Sequence, residues 1–169
     1  MKASDATILT LRGDRGPDIG HWIDRWTERL STALPVPPEI GASDPLPELI
    51  EEAPTPVVAI CYREGIERLV ACADAAPVAG AFLVAPRRGT PLEARDDPLP
   101  FPSVLVASRD DPDCEFERAD AMGARWGSLV VDAGEAGRID AASGRGPWPE
   151  GLMTLARFMS RLGGAPDRS

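Results

Sequence analysis

The chain has 169 residues, 43% of them hydrophobic and 27% charged, with 27 acidic against 18 basic side chains and a formal net charge of −9. That length buries a real core without disulfides or metals, and so negative a surface repels nucleic acid and anionic membranes alike. No stretch approaches the roughly 18 consecutive apolar residues that span a bilayer, and the first eleven residues lack the basic start and apolar run of a secretion signal; the expectation is one cytoplasmic domain, 1–169.

In chain order, Thr7 to Leu11 is a short apolar run that reads as a strand. Trp22, Trp26 and Leu30 then fall on one helical face. Val36, in a proline-rich stretch, marks a short additional strand. Asp44 before Pro45 is a helix start: a side-chain cap, then a proline whose missing N–H is no loss there. Val57 to Cys61 reads as a buried strand, and Ile66, Leu69, Val70 and Ala73 as an apolar helix stripe. Ala81 to Val84 is the next strand.

Residues 86–102, with Pro91, Pro98 and Pro100 among them, are too broken for a helix. They predict an irregular connection or short lid across the top of the sheet, with Arg87 and Arg88 in a solvent-facing turn. Val104 to Ala107 is a strand, Phe116, Ala119 and Met122 a helix stripe, and Ser128 to Val131 a further strand. Leu152, Leu155, Ala156 and Met159 form the face of a last helix, stopped by Gly163 and Gly164 and followed by a frayed tail over 164–169. Continuous apolar strands need a sheet covered on both faces. Strand–helix alternation therefore predicts an α/β fold: a mostly parallel sheet of five or six strands, helices on both faces, functional loops at the carboxyl ends of the strands.

Cys61, Cys72 and Cys114 are odd in number and match no zinc template, and His21 is the only histidine. The expectation is free thiols, a reducing compartment, and neither metal nor cofactor.

Several segments together resemble one family. His21-Trp22-Ile23-Asp24-Arg25-Trp26 is similar to its HW-x-x-RW helix start, and residues 80–86 (GAFLVAP) to its G-A-L-L-V-A-P strand. Residues 99–103 (LPFPS) and 107–112 (ASRDDP) resemble the approach to its catalytic acid. Arg125-Trp126-Gly127 resembles its W-G turn; residues 134–137 (GEAG) and 143–151 (SGRGPWPEG) resemble its histidine loop and the turn beyond. In order and spacing these look like the small α/β-hydrolase family of retinoblastoma-binding protein 9 and bacterial YdeN. The resemblance implies an α/β-hydrolase fold and a serine hydrolase triad in chain order Ser, Asp, His.

Carried over residue by residue, the elbow stretch is Cys61-Tyr62-Arg63-Glu64-Gly65, with Arg63 at the serine position. The acid position is Asp111, retained. The histidine position is Arg138. The loop that supplies oxyanion-hole donors in the family is Arg12-Gly13-Asp14-Arg15-Gly16-Pro17, in place of a P-G-x-x-G-S type sequence.

A guanidinium is charged at every relevant pH and has no accessible lone pair, so it is neither nucleophile nor general base. The expectation is an ion triad of Arg63, Asp111 and Arg138 with one positive charge left over, to which Arg12 or Arg15 adds. Arg12, Gly13, Tyr62, Arg63, Glu64 and Arg138 are the candidate pocket, for a small carboxylate or phosphate.

Three functions follow. The first is a pseudohydrolase with a binding, regulatory or assembly role, as a homo-oligomer or with a protein partner. The second is a repurposed lyase, cyclase or isomerase using Asp111 or Tyr62 as acid or base. The third is a residual hydrolase with Cys61 as nucleophile. Against these stand plainer readings: salt bridges plugging a relic cleft, Cys61 as a buried strand residue, His21 as a helix-start residue, Asp110 as a solvated neighbour of Asp111, and Trp148 as a staple at the last helix.

Overall fold

A computed structural model describes residues 1–13, 19–38 and 43–163. Its chain order is β1 (Thr7–Arg12), α1 (Trp22–Arg29), β2 (Ala33–Pro35), α2 (Leu46–Glu52), β3 (Val57–Tyr62), α3 (Glu64–Ala71), β4 (Gly80–Val84), β5 (Ser103–Ala107), α4 (Phe116–Trp126), β6 (Leu129–Asp132) and α5 (Pro149–Leu162). The six strands form one sheet in the order β2-β1-β3-β4-β5-β6, and every pairing is parallel. The expected tail at 164–169 and Arg15 lie outside the described residues.

Side chains alternate across each strand, so one run of residues feeds two cores. Leu9, Leu11, Ala59, Cys61, Leu83 and Leu105 pack with α2, α3 and α4 on one face. Ile8, Val58, Ile60, Tyr62, Phe82 and Val106 pack with α1 and α5 on the other. Strands β3, β4 and β5 are buried along their whole length, which is why they read as unbroken apolar runs. The edge strand β6 has one face open: Leu129 is 52% exposed.

Four expectations shift. The extra strand marked by Val36 covers Ala33–Pro35, with the Val36 N–H bonding Thr10 O just beyond it. The cap on α2 works from one residue further out, because Asp44 Oδ1 accepts from Leu46 N at 2.9 Å. The last helix buries Gly151, Leu155, Phe158 and Met159 and exposes Leu152 and Ala156. Its sheet-side face is set by Leu155, Phe158 and Met159 in the core with Trp148, the residue capping the helix, whose indole would stand 2.3 Å from a Cβ on Gly151. Residues 86–102 form no α-helix, as expected, and apart from a 3-10 turn at Pro91–Ala94 are irregular, but Leu92, Leu99 and Phe101 sink into the α3/α4 core instead of bridging the sheet as a lid.

The strand order reverses between β1 and β3, since β1 leads outward to β2 and the chain then returns past it. In open parallel sheets the crevice beyond the carboxyl ends at such a point is where ligands bind. The loop after β1 and the turn after β3 meet there.

Candidate active site

A single residue, Arg63, separates β3 from α3. Its backbone sits at φ 51°, ψ −112°, a conformation that L-residues avoid and that persists only where surrounding packing enforces it. The enforcement is visible in two glycines. A Cβ on Gly65 would lie 2.3 Å from Leu11 O, and one on Gly13 would lie 2.4 Å from Glu64 N and 2.5 Å from Tyr62 O. The turn is wedged against β1, and the Arg63 N–H bonds Val84 O at 3.1 Å on the other side. A sharp, strained strand-to-helix turn of this kind is the nucleophile elbow of α/β-hydrolases.

The Arg63 side chain is 4% exposed. Its Nη2 lies 3.1 Å from Asp113 Oδ2 and 3.5 Å from Asp111 Oδ1, and its Nε donates to the Tyr62 hydroxyl at 3.3 Å. Its Nη1 is buried with no hydrogen-bond partner among the described residues. Burial opposes the guanidinium charge, yet Tyr62, Asp111 and Asp113 together hold its pKa above the ordinary value.

Asp111 follows β5, with its side chain 3% exposed. Burial pushes its pKa up; the Asp113 N–H at 2.9 Å and the loosely placed Arg63 recover only part of that. Arg138, in the loop after β6, is half exposed and bonds Asp113 Oδ2 through Nε at 2.8 Å. That bond and the nearby charges hold Asp113 below the usual carboxylate range. The loop carrying Arg138 is tied down at several points. Tyr62 Oη donates to Arg138 O at 2.8 Å, Gly137 N to Asp110 Oδ1 at 2.8 Å, and Ala136 N to Ser108 Oγ at 3.0 Å. Asp110 is exposed, as expected, but it also pins this loop.

The expected triad is therefore a four-membered network. Arg138 pairs with Asp113, not Asp111, and two carboxylates balance two guanidiniums, leaving no surplus charge. Asp113 was missed because a carboxylate two residues after Asp111 looks like a solvated neighbour. The signal was the Asp-Pro-Asp spacing, which favours an Asx turn in which the Asp113 N–H bonds the Asp111 carboxylate and the chain reverses beside it.

The expected pocket also divides in two. Arg12, Gly13 and Glu64 line one cavity with Pro38, Glu67, Arg68 and Ala71, and Arg12 pairs with Asp24 instead of joining Arg63. Arg63 and Arg138 line another, of about 400 Å³, with Arg87, Arg88, Thr90 and Asp113. The Arg87–Arg88 turn faces solvent, as expected, but both of its side chains are paired. Arg87 bonds Glu64 at 2.8 Å and Glu67 at 2.7 Å, and Arg88 bonds Glu115. Their position after β4, on the carboxyl side of the sheet, was the available clue.

The other candidates lie away from this cavity. Cys61 is fully buried in the α3/α4 core, and burial drives its thiol far above the ordinary range. Tyr62 is buried, with its pKa pushed up to about 12 by desolvation. His21 caps α1: its Nδ1 accepts from Ile23 N at 3.2 Å, and its ring packs 4.5 Å from that of Tyr62. Trp148 precedes α5 and stacks on Trp26 at 5.7 Å. Among the described residues no cluster of metal-ligating side chains exists, and no helix is long and apolar enough to cross a membrane.

Residues 8–157 match the family model described as serine hydrolase. The chain belongs to that family. Among solved structures, a similar chain is a YdeN-like hydrolase of Pectobacterium atrosepticum, 30% identical, covering 95% of this chain and 94% of its own at a TM-score of 0.78. The ydeN gene product of B. subtilis shares the fold at 14% identity, with coverage of 92% and 99% and a TM-score of 0.69. Esterase 2 of Thermogutta terrifontis does so at 15% identity, with coverage of 99% and 88% and a TM-score of 0.70. No curated relative matches the chain.

Proposed function

We propose that this member of the serine hydrolase family does not hydrolyse by the family's serine–histidine chemistry and acts as a pseudohydrolase, a binding protein with a regulatory or assembly role. One observation carries the reading: the side chain on the strained elbow residue is the Arg63 guanidinium, tied to Asp111 and Asp113. A group without a lone pair performs neither attack nor proton abstraction. Arg138, at the position of the family's histidine, lacks one for the same reason.

The open cavity beside Arg63 and Arg138 gives a specific ground for a second reading, a repurposed enzyme. Two points favour binding over chemistry. Neither Asp111 nor Tyr62, the acid–base candidates, is among the described residues that line the cavity. Tyr62 also spends its hydroxyl proton on Arg138 O. The third reading, a Cys61 nucleophile, finds no support in a thiol sealed inside the core. Three free thiols fit a reducing, cytoplasmic setting.

The test is activity-based labelling with a fluorophosphonate together with a panel of short p-nitrophenyl esters. The expected result is no label and no turnover above the buffer rate. Ester hydrolysis that disappears in Asp111→Asn would overturn the proposal.

A further inference from the structure

The cavity over the elbow is lined by four guanidiniums, one hydroxyl and one carboxylate. We propose that it is a binding site for a small oxyanion and that a phosphoryl group is the form it holds best. This rests on the non-hydrolytic reading, because serine and histidine in place of Arg63 and Arg138 would remove two of the four cations.

Three features carry the assignment. The first is the Arg63 Nη1 group. The side chain is 4% exposed, Nε and Nη2 are engaged by Tyr62, Asp111 and Asp113, and Nη1 has no partner among the described residues. A charged N–H buried without an acceptor is costly and rare; Nη1 itself is closed to solvent, but its side chain lines the cavity, so an oxyanion held there satisfies it once the wall shifts to admit an oxygen.

The second is the placement of the counter-charges. Arg87 is held by Glu64 and Glu67, and Arg88 by Glu115, none of which is among the described lining residues. These carboxylates fix the guanidiniums from outside the wall and leave Asp113 as the one acid facing inward. The wall thus presents four guanidiniums against one carboxylate, while the acids behind it offset their charge, so what the cleft offers an anion is a set of oriented N–H donors and not a net positive field.

The third is shape. The guanidiniums arrive from three segments: the elbow, the loop after β4 that also brings Thr90, and the loop after β6. A planar carboxylate satisfies the fork of one guanidinium. Donors converging from three directions match the three terminal oxygens of a phosphoryl group, and about 400 Å³ accommodates one with a small substituent.

The test is calorimetric titration of the full chain, at constant ionic strength, with inorganic phosphate, phenyl phosphate and acetate. Wild type is compared with Arg88→Gln, Arg63→Gln and, as a control on the exposed face of α5, Arg157→Gln. Saturable one-to-one phosphate binding is expected, weakened at least about tenfold in Arg88→Gln and unchanged in Arg157→Gln. Arg63 is buried and its variant can fail to fold. Half-exposed Arg88 therefore carries the decision, with the far-UV spectrum confirming its fold.

No saturation by about 10 mM phosphate, or an Arg88→Gln variant that binds like wild type, overturns the site. Acetate binding as tightly as phosphate overturns the phosphoryl assignment. The ester panel runs in parallel. Asp111-dependent hydrolysis overturns the non-hydrolytic reading whatever the titration gives, whereas silent titration with no hydrolysis overturns the oxyanion site alone.

Discussion

Replacing Arg63 by methionine removes the cation facing Asp111 while keeping much of the side-chain volume. Removing one partner of a buried ion pair costs about 3–5 kcal/mol, because the other charge stays behind uncompensated. Two features reduce that here. The Arg63–Asp111 contact is loose at 3.5 Å, and the variant no longer buries the orphaned Nη1 group, a relief of about 1 kcal/mol. The net loss is about 2–3 kcal/mol at neutral pH, or a melting temperature lower by about 4–12 °C for a chain of this size.

The loss depends on pH with a definite sign. Burial already holds Asp111 above its ordinary pKa, and without Arg63 it rises further. The folded state then binds the proton more tightly than the unfolded chain, so the deficit is largest at neutral pH and shrinks as pH falls through the folded-state value. Calorimetric melting of wild type and variant at both pH values reads this directly. Adding Asp111→Leu should recover most of the loss, since two apolar groups replace the pair. A single variant melting within about 2 °C of wild type at neutral pH, or a deficit equal at about pH 7 and pH 4.5, would refute the reasoning.

Four further outcomes are expected. The double replacement Arg63→Ser with Arg138→His, on an elbow that retains its strained backbone, should hydrolyse p-nitrophenyl acetate at least about tenfold faster than wild type, with the gain lost in Asp111→Asn. Gly65→Ala places a Cβ 2.3 Å from Leu11 O and should cost at least about 2 kcal/mol in chemical denaturation. Asp113 is held low chiefly by the Arg138 bond, so it contributes stability that is present above its unfolded pKa and lost as pH falls through the folded one; Asp113→Asn should flatten the acid limb of the stability curve, and an unchanged limb would count against the pairing. In native protein a maleimide should modify half-buried Cys72 before Cys61, read by peptide mass mapping; early labelling at Cys61 would reopen the thiol-nucleophile reading.

The fold was legible because its signals are local. Five continuous apolar runs separated by helical stripes leave little besides a covered parallel sheet, and each run is a strand within a residue or so of where its pattern puts it. Residues at the surface of an element were harder to place. The amphipathic period of the last helix suits either of two adjacent faces, and packing of Trp148, Leu155, Phe158 and Met159 into the cluster of Trp22, Trp26 and Phe82 selects one. Leu129 has a strand residue's character, but an edge position exposes half of it.

The elbow residue was equally legible in sequence: Arg63 stands between a buried strand and Gly65, and chemistry alone says what a guanidinium does not do. Its partners were not. Asp113, Arg87, Arg88 and Thr90 come from loops 20 to 50 residues downstream, and which charge meets which depends on how those loops descend over the carboxyl edge of the sheet. Hydrophobic patterning is enforced residue by residue and so is written along the chain. Ion pairing turns on differences of about an ångström in the separation of segments remote in sequence, and only the folded packing fixes those separations. That is why the sequence determined the scaffold and the charge at its elbow, while the tertiary structure decided that Asp113 joins the network and that a cation-lined cavity opens beside it.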